Sequence, residues 1–167
     1  MKTKRNRIIA FAFLLIAAGI IHTHGQVQVS GNLVLIDRGM PGDSYEGSIR
    51  LDNIGDAVEE VRVYLKDFLF SAVRGSSYKE PGTHERSNAG WIEFFPNILT
   101  IAPDAQAEIG YRVRIPEDGG LTGTYWSMLF VEGVPKDNEL PETEGKFTLS
   151  ITQVVRYGIQ LITEIGE

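Results

Sequence analysis

Few residues in this chain are placed where side chains could do catalytic chemistry. Of the three histidines, His22 and His24 lie near the N-terminus and His84 stands alone farther on, inside His84-Glu85-Arg86. Acid–base or metal chemistry needs convergent partners, so one histidine beside one carboxylate reads as an exposed loop residue. Asp137, Glu139, Glu142 and Glu144 gather carboxylates in one stretch, but they lack the ordered Asp/Asn and Gly spacing of a calcium loop, and Pro141 interrupts them. They read as a solvated acidic connection. The absence of cysteine removes zinc–thiolate, iron–sulfur and cysteine-nucleophile chemistry. Gly119-Gly120 precedes a strand rather than a helix N-terminus, and no serine sits in Gly-x-Ser-x-Gly. No enzyme activity, cofactor, metal or small-molecule substrate is expected.

The chemistry on offer is that of polypeptide recognition. From Tyr125 to Glu132 both faces of a strand are apolar, with Trp126, Met128 and Phe130 on one and Tyr125, Ser127, Leu129 and Val131 on the other. Two readings stand. Either the Trp126–Phe130 face is covered by the long stretch from Arg74 to Gly90, or it is a patch that docks a partner through aromatic anchors. The last strand poses the same choice. Phe147, Leu149, Ile151, Val155, Tyr157, Ile159 and Leu161 keep period two, and the leading part, Phe147 to Ile151, is the part expected to project and pair with a partner strand.

The elements that must position these residues are strands nearly throughout. Val27 to Leu35 reads as the first, closed by the turn-forming run Asp37–Asp43. Tyr45, Gly47, Ile49 and Leu51 alternate with polar residues, as do Val61, Val63 and Leu65. Trp91–Phe95 is a short strand stopped by Pro96; Ala107, Ile109, Tyr111, Val113 and Ile115 form another, stopped by Pro116. Phe147 to Ile162 is the final long strand, and Arg74 to Gly90 reads as loop. No amphipathic helix is evident. Each strand has one apolar face to bury, which predicts an all-β, immunoglobulin-like antiparallel β-sandwich of seven or eight strands. A closed barrel is the alternative.

The N-terminus reads as a signal peptide spanning residues 1–25. Lys2, Lys4, Arg5 and Arg7 precede an apolar run of 14 residues, Ile8 to Ile21, shorter than the roughly 20 needed to cross a membrane. Thr23 and Gly25 suit the cleavage pockets, leaving 26–167 as one domain; a retained N-terminal anchor is the alternative. That domain has 12 basic and 22 acidic residues, a charge of −10, so nucleic acid is excluded as a partner and membrane contact is expected only through the export signal.

Four segments together carry a resemblance. Gly31-Asn32-Leu33-Val34-Leu35 followed by Ser48-Ile49-Arg50-Leu51-Asp52-Asn53 resembles the start of the N-terminal immunoglobulin-like domain of periplasmic pilus (fimbrial) chaperones. Trp91 to Pro103 is similar to that family's P-x-x-x-x-L-x-P corner. Gly123 to Glu132 resembles its penultimate strand, and Phe147-Thr148-Leu149-Ser150-Ile151, closing near Arg156-Tyr157, its last. The family continues into a second sandwich domain that this sequence does not cover. The resemblance implies a last strand that donates Phe147, Leu149 and Ile151 to a pilin subunit lacking one strand. It implies that Arg156 stands for one of two basic residues anchoring the subunit's terminal carboxylate. The other position falls in Leu33-Val34-Leu35, which is apolar. The implied function is that of a periplasmic or cell-envelope assembly module binding a subunit of a surface appendage by strand addition. The alternative is a structural immunoglobulin-like subunit or adhesin component of an envelope complex.

Overall fold

A computed structural model describes residues 27–73, 75–135 and 153–166. Ten strands run in the order β1 Val27–Ser30, β2 Val34–Gly39, β3 Ser44–Asn53, β4 Glu59–Ser71, β5 Gly75–Lys79, β6 Ile92–Phe95, β7 Ile98–Ile101, β8 Gln106–Arg114, β9 Gly123–Gly133 and β10 Arg156–Ile165. They form two sheets. One has the order β1-β3-β8-β6; the other has the order β2-β10-β9-β4-β5, with β7 also pairing with β4. The architecture is an immunoglobulin-like β-sandwich.

Alternation in the sequence becomes alternation in burial because successive side chains leave opposite faces of a strand. In β8, Ile109, Tyr111 and Val113 are buried and Glu108, Gly110, Arg112 and Arg114 are exposed. Between the sheets Leu51, Ile109, Val113, Leu129 and Ile159 are wholly excluded from solvent, each such burial stabilising by about 1.5–3 kcal/mol. Two of the polar groups beside this core show how it is tied together. The amide of Asn53 donates to the carbonyls of Ala57, Ile101 and Ala102, and the Tyr45 hydroxyl meets the Thr163 hydroxyl at 2.7 Å.

Three expectations are corrected. Val27 to Leu35 is not one strand: the chain breaks at Gly31, whose φ of +108° suits only glycine, and passes from β1 in one sheet to β2 in the other. The sandwich is not wholly antiparallel, since β2 runs parallel to β10. The stretch from Arg74 to Gly90 contains β5, which pairs with β4 from Asp67↔Lys79 to Ser71↔Gly75. These splits, with the break between β6 and β7 at Pro96, raise the count of strand segments above seven or eight.

Candidate functional site

Strand β10 is paired along its full length with β9, from Arg156↔Glu132 to Ile165↔Gly123. On its other side β2 reaches only from Gln160 to Ile165. The backbone N–H of Gln160 donates to the Leu33 carbonyl at 2.8 Å, and the Val155 carbonyl accepts from Gly133 on the β9 side. Backbone polar groups alternate sides along a strand. The N–H and C=O groups of Arg156 and Gly158 therefore point to the side where, among the described residues, no strand pairs with them. An unpaired strand edge is a template for another strand. Beside these groups Tyr157 is only partly buried against the core.

Arg156 opens this edge, and its guanidinium is engaged within the chain. It lies 4.8 Å over the Phe130 ring, 3.7 Å from Glu132 Oε2 and 3.4 Å from the Tyr64 hydroxyl. Tyr64 donates to Glu132 Oε2 at 2.6 Å, and Arg62 donates to Oε1 at 3.2 Å. The Tyr64 hydrogen bond, opposed by burial and aided by Arg62, holds the Glu132 carboxyl below the usual carboxylate range. Burial, then the bond to Glu132, pushes the Tyr64 phenol up. Glu132 thus supplies, from within the chain, the carboxylate beside Arg156. No basic residue faces Arg156 from β2, whose sequence Val34-Leu35-Ile36-Asp37-Arg38-Gly39 has its one cation paired with Glu164 at 2.7 Å.

The other expected binding face is occupied from within. Met128 and Phe130 are 9% and 4% exposed. Tyr78 of β5 meets the Phe130 ring edge-on at 5.0 Å, and Tyr64 lies 5.5 Å from it. Trp126 donates through Nε1 to the Phe68 carbonyl at 2.8 Å, with the His84 ring 5.4 Å away. The β4–β5 hairpin and the segment after it cover this face, so Trp126, Met128 and Phe130 present no bare patch. Phe147, Leu149 and Ile151 lie outside the described residues.

His84 is half-buried rather than exposed because its loop is tied to a buried carboxylate. Asp67 accepts from the backbone N–H groups of Gly82, Thr83 and His84 at 3.1, 2.8 and 2.8 Å and from the Ser87 hydroxyl at 2.5 Å. Burial by itself would raise its pKa, but the bonds from Ser87, His84, Gly82 and Thr83 outweigh burial and bring it below the ordinary value. The Nδ1 of His84 accepts from the Arg86 N–H at 3.1 Å, a capping role within the loop. Among the described residues no three His, Asp or Glu side chains group as a metal site.

Two contributors to the site escape the sequence reading. Gly158, opposite Phe130, leaves room that Met128 and Phe130 fill: a Cβ there would meet Met128 Sδ at 3.0 Å and Phe130 Cε1 at 3.1 Å. An isolated glycine in an apolar strand is the signal that marks such close approach. The early end of β2, which leaves the edge open, has no local signature.

No protein-family model matches the chain, and no curated protein matches it in sequence. Its fold is similar to that of solved structures. A "Class 5 Fimbriae Chaperone CfaA" matches with a TM-score of 0.56 at 12% identity, over 84% of this chain and 57% of its own. The structure of the Salmonella enterica SafA pilin in complex with the SafB chaperone matches with a TM-score of 0.53 at 14% identity, over 83% and 54%. The human CEP192 "ASH / PapD-like domain" matches with a TM-score of 0.52 at 14% identity, over 85% and 86%. At these identities the likeness establishes the fold, a PapD-like immunoglobulin-like sandwich. The chain spans about half the length of the chaperone structures it matches.

Proposed function

We propose that this chain is a binding module, not an enzyme, that takes an extended strand of a partner protein along the edge of β10. The N–H and C=O groups of Arg156 and Gly158, which no strand pairs among the described residues, beside a β2 that pairs only from Gln160 onward, carry the proposal. The likeness to chaperones whose structures are titled with a pilin or a tip adhesin supports a protein subunit as partner. In this reading the basic, apolar segment 1–25 directs export, and the domain from residue 26 works in the periplasm or cell envelope. Phe147, Leu149 and Ile151 are proposed as side chains inserted into the partner, with Arg156 at the junction.

A second reading, a permanent immunoglobulin-like subunit of an envelope complex, is favoured by one observation. The Arg156 guanidinium already has Glu132 beside it, so a partner carboxylate would have to displace an internal one. Stoichiometry separates the two: a chaperone leaves the finished assembly and a subunit stays.

The test compares Arg156→Pro with Arg156→Ala in capture of partner from the native envelope. Both remove the guanidinium, but only proline removes the outward N–H, and proline is tolerated at the first residue of a strand. Capture is expected to fall at least tenfold further in Arg156→Pro than in Arg156→Ala, the order expected for a lost ladder bond whose partner is left unpaired. Replacing Phe147, Leu149 and Ile151 together by Glu is expected to abolish capture while the domain still melts cooperatively. Equal capture by the two Arg156 variants, both folded, would show that the edge is not used.

A further inference from the structure

Arg156 stands at the first position of β10, where a long side chain has two ways to lie. On one flank is β9; on the other, no strand pairs with Arg156 or Gly158 among the described residues. The guanidinium's contacts among the described residues all lie on the β9 side. They are the Phe130 ring at 4.8 Å, Glu132 Oε2 at 3.7 Å and, one strand farther, the Tyr64 hydroxyl at 3.4 Å. Glu132 is itself anchored from β4: Tyr64 donates to Oε2 at 2.6 Å and Arg62 to Oε1 at 3.2 Å. The Glu132 side chain is 19% exposed and that of Arg156 48%, so the carboxylate is the fixed member of the pair.

Taking the edge of β10 as the partner-binding edge proposed above, we infer that Glu132 is its positioning residue. It draws the Arg156 guanidinium across β9 and keeps the flank of Arg156 and Gly158 clear for an added strand. A guanidinium has five N–H donors and no acceptor. Swung to the other flank, it would lie beside the outward carbonyls of its own strand, the groups that an added strand must reach. Register supports the assignment, since Glu132 pairs with Arg156 and Phe130 with the bare Gly158, which puts the carboxylate and the ring on the same side of the guanidinium. The Tyr64 hydrogen bond, opposed by burial and aided by Arg62, keeps Glu132 ionised, so the pull on Arg156 persists at neutral pH. A merely structural ion pair explains less. β9 and β10 are already joined along the full length of β10, and one partly exposed pair adds little to that.

Two readouts test the assignment in the full-length protein. In the NMR spectrum the side-chain protons of Arg156, lying over the Phe130 ring, are expected to carry an upfield ring-current shift. Glu132→Gln keeps the shape and drops the charge, and is expected to remove that shift. Capture of partner from the solubilised native envelope is expected to fall about two- to fivefold in Glu132→Gln, the range that a partly exposed ion pair commands. In an Arg156→Ala background Glu132→Gln is expected to change capture no further, since no side chain is left to hold. Tyr64→Phe, which removes the hydroxyl bonded to both residues, is expected to move both readouts in the same direction. A shift that survives Glu132→Gln, capture unchanged by it, or a full further loss in the double variant would each overturn the assignment. Equal capture by folded Arg156→Pro and Arg156→Ala would sink the edge and the positioning together. A gap between those two, with no effect of Glu132→Gln, would sink the positioning alone.

Discussion

Arg156 and Phe130 meet on a diagonal. The guanidinium carbon lies 4.8 Å from the ring centroid, although Arg156 is paired in register with Glu132 and Phe130 with Gly158. The missing side chain at Gly158 makes the diagonal possible: Phe130 leans across the bare backbone and Arg156 closes over it. A cation over an aromatic face contributes about 0.5–1 kcal/mol when exposed. Its larger consequence is positional, because it fixes the first residue of the open edge against the aromatic cluster that holds the β4–β5 hairpin.

Gly158→Val is therefore expected to destabilise the fold by about 1–3 kcal/mol through overpacking. Its Cβ would stand 3.0 Å from Met128 Sδ and 3.1 Å from Phe130 Cε1, so those side chains must give way. Denaturant unfolding measures the loss. An unchanged midpoint would mean that the cluster yields freely.

Asp67→Asn tests the carboxylate that gathers the Gly82–Ser87 loop. Asparagine has one acceptor oxygen where Asp67 uses both, so about 2–3 kcal/mol of stability is expected to go, as N–H groups lose their partners. The wild-type pH dependence follows from the lowered pKa of Asp67 in the fold. Its contribution is complete above the unfolded value of about 3.9 and is lost as pH falls from there through the folded value. Unfolding midpoints measured from neutral to acid pH should fall below about pH 4, and the fall should be shallower in Asp67→Asn. Parallel curves would sink this account.

Tyr45 should be reluctant to ionise. Burial raises its pKa to about 12, against the lowering effect of its hydrogen bond with Thr163. The raised value means that stability from neutral Tyr45 is complete below the unfolded pKa of about 10 and lost as pH rises through about 12. A spectrophotometric titration of wild type against Tyr45→Phe should place the missing phenolate near that upper value. The same absorbance lost near pH 10 would contradict the burial argument. The variant should also cost about 1 kcal/mol by orphaning part of the Tyr45–Thr163–Asn88 contact set.

Much of the fold is legible in the residues. The inward sides of β3, β8 and β10 follow from Ile49 and Leu51, from Ile109, Tyr111 and Val113, and from Ile159 and Leu161, because a period of two with one apolar face has only one way to bury it. The Trp126–Phe130 face is ambiguous for the opposite reason. With both faces of β9 apolar, periodicity cannot say what covers the second, and the answer lies in Phe68 and Tyr78 of a hairpin more than forty residues earlier. The stretch holding β5 reads as loop because Gly75, Ser76 and Ser77 are poor strand formers; pairing with β4 overrides that preference.

The sequence alone determines which side chains face inward and that strands dominate, since side-chain direction is set by local backbone geometry. It also carries, in the glycine at position 158, the mark of a close approach beside the proposed binding edge. Tertiary structure alone decides which edges stay open. Whether Arg156 and Gly158 find partners depends on where β2 begins and on the crossing at Gly31 that sends β1 to the other sheet. Backbone pairing joins residues more than a hundred positions apart, and every residue but proline brings the same N–H and C=O to it. No pattern of side chains along the chain records which of those groups will be left without a neighbour.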